Sequence, residues 1–100
     1  MNARAVKCIL SPLAQADLDE IWNYTVTHWG VDQAERYLRD IQAATETLAG
    51  NPWHGQACED IRPGYRKIPV GSHIIFYRLT NQGVDIVRVL HQRMDADSHL

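Results

Sequence analysis

Three strand-like runs, parted by turns too short for anything but a reversal, most constrain what this chain can become. Tyr65–Val70 (YRKIPV), Ser72–Thr80 (SHIIFYRLT) and Val84–His91 (VDIVRVLH) are rich in β-branched and aromatic residues. Only Gly71 separates the first two, and only Asn81-Gln82-Gly83 the next two. Such connections suit antiparallel neighbours, whereas a parallel pair needs a crossover of roughly a dozen residues or more. An antiparallel meander is expected. Pro69 has no N–H for the ladder, so its strand should be short or near an edge.

A three-stranded meander needs a covering layer, and the preceding residues supply one. Ser11 is a good N-cap, and Pro12 fits the first helical position, where its missing N–H costs nothing. Ala14, Leu18, Ile21, Thr25 and His28 then recur at helical spacing, with Trp22 and Trp29 beside the stripe, until Gly30 ends the run. Asp32, with Glu35 three residues on, reads as the capping box of a second helix. Its stripe is Ala34, Leu38, Ile41, Thr45 and Leu48, with Tyr37 and Ala44 adjoining, and Gly50-Asn51-Pro52 stops it. Two helices joined by so few residues must fold back as an antiparallel hairpin. Val6–Leu10 reads as a strand of the same sheet, residues 51–64 as an irregular connection, and 95–100 as a polar tail ordered only if something holds it. The expected fold is α+β in the order β-α-α-β-β-β, one domain over residues 1–100.

Composition narrows the class. A chain that is 45% hydrophobic and 22% charged is ordinary globular material and not a disordered one. No apolar run approaches the ~20 residues of a membrane span, so no membrane association is expected. The first residues lack a long apolar core and a small-residue cleavage site, so no secretory signal is expected. Cys8 and Cys58 read as free thiols of a reducing, cytoplasmic compartment. His28, His54, His73, His91 and His99 fall in different elements and no CxxC occurs, so neither metal nor cofactor is expected. The net charge of −2 hides a division: residues 12–60 hold nine acids and two bases, and residues 61–94 hold six bases and one acid. Either the basic half meets a polar partner, protein or nucleic acid, or the halves complement each other within the fold.

Several side chains carry candidate chemistry. His91, Arg93 and Met94 stand where the last strand ends and could project toward a partner. His91 with Arg66, Arg78 and Arg88 could form an RNA-cleaving set, the imidazole moving protons and the guanidiniums stabilising a developing phosphorane. Against this, Arg78 and Arg88 interrupt apolar strands and could pair with acids of the hairpin. Trp22, Trp29 and Tyr37 either rim a groove for a partner helix or peptide, or fill the hairpin core.

The ordered motifs Ala16-Asp17-Leu18, Ile21-Trp22, Trp29-Gly30-Val31, Asn51-Pro52 with Gly55, Arg62-Pro63-Gly64-Tyr65-Arg66, Gly71-Ser72-His73, Phe76-Tyr77-Arg78 and Ile86–Gln92 resemble the ParE toxins of bacterial toxin–antitoxin pairs, within the RelE/ParE superfamily. The likeness covers nearly the whole chain. It implies a toxin held inactive in a hetero-oligomeric complex by a ParD-like antitoxin, whose disordered C-terminal part folds over the helical face and a sheet edge. Characterised members of that family poison DNA gyrase, and ribonuclease relatives cleave mRNA at the ribosome. A pI of about 6.2 favours a protein target over an RNA-rich one, and no direct DNA binding is expected. On this reading there is no catalytic set. Asp17, Glu20, Trp22, Trp29 and Tyr37 meet the antitoxin, and His91, Arg93 and Met94 carry toxicity. The alternatives are a ribosome-dependent endonuclease, using His91 with Arg66, Arg78 or Arg88, and an inactive toxin that only binds its antitoxin.

Overall fold

The computed structural model describes residues 7–100, so the expected strand residue Val6 lies outside the described part. The elements are β1 (Lys7–Leu10), α1 (Pro12–Trp29), α2 (Val31–Gly50), β2 (Gln56–Ala57), β3 (Tyr65–Val70), β4 (His73–Thr80), β5 (Gly83–His91) and α3 (Ala96–His99). The α+β order expected from the sequence is present, with the helical hairpin on one face of a sheet ordered β1-β5-β4-β3-β2.

Local chemistry accounts for the start of α1. The Ser11 hydroxyl accepts from Ala14 N–H at 3.0 Å and donates to the Val87 carbonyl at 2.8 Å, so one side chain both caps the helix and ties it to β5. The joint between the helices is tighter than expected. Gly30 alone connects them, at φ 90° and ψ 169°, a backbone state that glycine alone adopts freely. Asp32 is therefore not the N-cap: α2 already begins at Val31, and Gly30 takes that place with no side-chain hydrogen bond.

The meander forms as expected, with β4 antiparallel to both β3 and β5. β1 joins it parallel to β5 through Leu10↔Ile86. Residues 51–64 are not wholly irregular. Gln56–Ala57 pairs with Arg66 and Lys67 and adds an edge strand too short for its period to show in the sequence. Pro69 lies beyond that pairing, on the open part of β3.

The β4–β5 ladder contains a slip. Phe76 pairs Arg88, but Tyr77 pairs Ile86, leaving Val87 as the extra residue of a bulge. The bulge resets the alternation of β5. Val84, Ile86 and Val89 all reach the core beneath the hairpin, while Leu90 joins Phe76 and Cys58 on the opposite face. That second cluster receives Ile61, Ala96 and Leu100. Residues 95–100 are accordingly held. Arg62 donates to the Leu100 carbonyl at 2.6 Å, Arg88 to the His99 carbonyl at 3.0 Å, and Asp95 caps the short α3.

Tyr77 anchors the turn after α2. It is fully buried, and its hydroxyl donates to the Pro52 carbonyl (2.9 Å) and accepts from Gly55 N–H (2.8 Å). Tyr77→Phe keeps the packing but strands both backbone groups. The expected cost is about 1–3 kcal/mol, read as a lower urea midpoint with an unchanged m-value; an unchanged midpoint would refute this role.

Candidate functional site

The hairpin does not seal against the sheet. A cavity of about 610 Å³ opens between α1, the start of α2 and the far ends of β4 and β5. Asp17, Glu20, Ile21, Tyr24 and Thr25 form one wall, with Trp29 at the corner. Gln33 and Tyr37 form the second wall, Ser72, His73, Val89 and His91 the floor, and Met94 the exit. The mouth is apolar: Tyr24 is 61% exposed and Trp29 70%. Tyr24 stacks on His28 at 3.9 Å between ring centroids, so its ring is held in place while one face stays open.

The two acidic candidates differ in kind. Asp17 is occupied. Its carboxylate accepts both Nε (2.8 Å) and Nη2 (2.8 Å) of Arg88 and also the backbone N–H of Val89 (2.9 Å). This bidentate pair holds Arg88 in its charged form beyond the usual range, the hydrogen bond to Asp17 outweighing burial. Glu20 is exposed, with no hydrogen bond or ion pair among the described residues. Glu20, and not Asp17, can meet an incoming cation.

A polar chain crosses the floor. Tyr37 Oη accepts the N–H of Ser72 (3.1 Å) and lies 3.1 Å from the Val70 carbonyl and 2.6 Å from His73 Nδ1. Its ring closes over Gly71, whose φ of 56° and lack of a Cβ allow that approach. His73 in turn meets His91 edge-on, 5.3 Å between ring centroids. Burial, and then the neighbouring His91, push the His73 pKa below the ordinary imidazole value, with Asp17 opposing weakly. His91 Nδ1 accepts from the N–H of Arg93 at 3.1 Å, so that nitrogen carries no proton.

Of the residues singled out from sequence, Asp17, Glu20, Trp29, Tyr37, His91 and Met94 share this cavity. Trp22 is half-buried away from it, and Arg93 stands outside. The four side chains of the RNA-cleaving alternative are dispersed. Arg66 donates to the Gly55 and Trp53 carbonyls and stacks over the exposed Trp53 ring. Arg78 points to the opposite face, where it pairs with Asp85 at 3.4 Å, so the expected hairpin partner belongs to Arg88 and not to Arg78. Arg66 is paired with Tyr77, and His91 with His73 four residues back along β4, an offset of about 13 Å along the strand with two strand spacings across it besides. No group of three His, Cys, Asp or Glu side chains able to hold a metal occurs among the described residues.

Sequence reasoning missed Tyr24, Gln33, Ser72 and His73. Tyr24 could have been found as a large aromatic off the apolar stripe. The His73–His91 contact depends on strand register and left no signal.

A family model described as ParE toxin of type II toxin-antitoxin system, parDE, matches residues 8–96. Toxin ParE1 of Mycobacterium tuberculosis is 60% identical over 93 residues, covering 92% of this chain and 95% of that one. Toxin ParE1 of Caulobacter vibrioides is 50% identical over 91 residues, covering 91% and 94%. Among solved structures, a chain of the chromosomal ParDE system of P. aeruginosa superposes with a TM-score of 0.77 over 89% of this chain and 98% of that one, at 21% identity. A chain of the YoeB–YefM complex from Staphylococcus aureus gives 0.59 over the same shares, at 16% identity. Both share the fold.

The contrast between the two carboxylates is measurable. Asp17→Asn leaves the guanidinium of Arg88 largely buried without its counter-ion and should cost about 3 kcal/mol. Glu20→Gln should stay within about 0.5 kcal/mol. Denaturant unfolding of both variants checks this, and equal effects would refute the assignment.

Proposed function

The chain belongs to the ParE toxin family of type II toxin–antitoxin systems, and from that premise we propose that it inhibits DNA gyrase until a ParD-like antitoxin fills the groove between α1, α2 and the sheet. The observation that carries the groove reading is the open mouth itself. Tyr24 and Trp29 stand exposed over an apolar cavity with one uncommitted carboxylate, Glu20, at its rim. Large rigid aromatics around a concave apolar site are what an amphipathic segment needs as anchors. An antitoxin segment with an apolar face and a lysine or arginine placed to reach Glu20 fits this surface. Ordering such a segment on binding lets the neutraliser wrap the toxin yet remain open to proteolysis when released.

His91 and Met94 line the same cavity, so an occupant covers the exit of β5 that we assign to toxicity. Neutralisation then follows from shared surface, without a change of fold. For the target, the dispersed Arg66, Arg78 and Arg88 weigh against an RNA-cleaving centre and favour inhibition by binding. The gyrase assignment itself rests on the family. On this reading the protein acts in the bacterial cytoplasm and is held in a hetero-oligomeric complex until released.

Purified toxin should inhibit supercoiling by gyrase. A folded preparation that neither inhibits it nor stabilises a cleavage complex would rule gyrase out, and cuts in mRNA lost with His91→Ala would point to the nuclease. Trp29→Ala with Tyr24→Ala should weaken antitoxin affinity at least tenfold, about 1.4 kcal/mol, and leave growth arrest intact. Arg93→Ala, outside the cavity, should do the reverse.

A further inference from the structure

We propose that this groove is a proton-linked docking site: its occupant seats over a neutral His73–His91 pair, so acid loosens the complex. The inference rests on the antitoxin reading above. The floor is built around two imidazoles whose hydrogen bonds require lone pairs or leave charge unmatched. His91 Nδ1 accepts the N–H of Arg93. An imidazolium there would face one N–H with another and release the turn that positions Met94 at the cavity exit. His73 is half-buried, with Nδ1 against the Tyr37 hydroxyl and its ring against His91, so a charge on either ring opposes a charge on the other.

The groups facing the pair do not compensate. On α1, Asp17 is taken up by Arg88 and Val89, and Tyr24 stacks on His28. On α2, Tyr37 and Gln33 carry no charge. Arg93, two residues beyond His91, lies outside the cavity and brings no negative charge. Glu20 alone offers a free carboxylate, and it stands in solvent at the rim, where screening weakens it. Burial already disfavours the charged form of His73, and an apolar segment laid over the mouth removes more water from both rings. The binding-competent toxin is therefore the fraction with both rings neutral, and apparent affinity scales with that fraction. The sign is fixed: affinity is full where both rings are neutral and falls as acid protonates them, for His73 below the ordinary imidazole range.

Where seating the occupant requires a neutral ring, apparent affinity falls by the fraction of toxin that carries the proton, a loss of up to about tenfold per pH unit. His73, with its lowered pKa, contributes less. Calorimetric titration of the full-length toxin with its full-length ParD-like antitoxin, at pH 7.5 and 5.5, should show affinity about three- to tenfold weaker in acid. In His73→Gln with His91→Gln the change should fall to within about twofold. A double variant that keeps the wild-type pH dependence would overturn the proposal, because the dependence would then belong to the antitoxin. Should that variant fail to fold, imidazole proton shifts of the wild type decide. Titration of both rings at lower pH in the complex than in free toxin supports the linkage, and unchanged or higher midpoints overturn it. If Trp29→Ala with Tyr24→Ala leaves affinity intact, the docking reading falls, and this inference falls with it.

Discussion

Asp17 joins the two layers of this protein. β1 ends at Leu10, opposite Ile86, so the remaining length of β5 has no strand neighbour on that side. Ser11 takes over with its N–H on the Ile86 carbonyl and its hydroxyl on the Val87 carbonyl, and Asp17 follows by accepting Val89 N–H. The first turns of α1 thus complete a sheet edge that would otherwise hold unpaired backbone groups. The bulge at Val87 makes room for this by turning Arg88 toward the same carboxylate. Both side chains are mostly shielded from water, so their desolvation offsets much of the attraction between them. What the pair contributes is placement: it sets how α1 lies on β5, and from that the width of the groove.

That placement explains why the cavity stays open. A one-residue joint at Gly30 holds the helices close at the Trp29 end, and Tyr37 is tied to the β3–β4 turn by its hydroxyl. Near these fixed points the buried residues are small, Thr25 and Ala34, and do not fill the mouth. Tyr24 and Trp29 are left exposed at the mouth. Exposed apolar surface of this kind signals a partner more than a defect, which accords with a toxin kept in check by a second protein.

The basic stretch from Arg62 to Arg93 suggested a nucleic-acid surface, yet most of its charge is used within the molecule. Arg62 holds the last residues, Arg66 clamps the turn after α2, Arg78 meets Asp85 and Arg88 meets Asp17. Lys67 and Arg93 are left of the six, with no side-chain partner among the described residues. The division of charge between the halves of the sequence is resolved largely by one internal pair and by backbone carbonyls, and not by a phosphate-binding face.

From sequence alone, the hydrophobic periods and turn residues determined the α+β class, the meander, the two amphipathic helices and the Ser11-Pro12 start. Each of these depends on neighbours a few residues apart, which a linear reading can see. The resemblance carried by the spaced motifs determined the family. The tertiary structure decided what depends on register and on contacts between distant segments. Gln56–Ala57 pairs only because β3 offers an edge, and the Val87 bulge arises because β5 must serve two faces. Arg88 rather than Arg78 reaches the hairpin because only that side chain emerges beside Asp17. His73 and His91, eighteen positions apart, form the floor of one groove because the β4–β5 ladder sets them opposite each other; no local pattern encodes that distance.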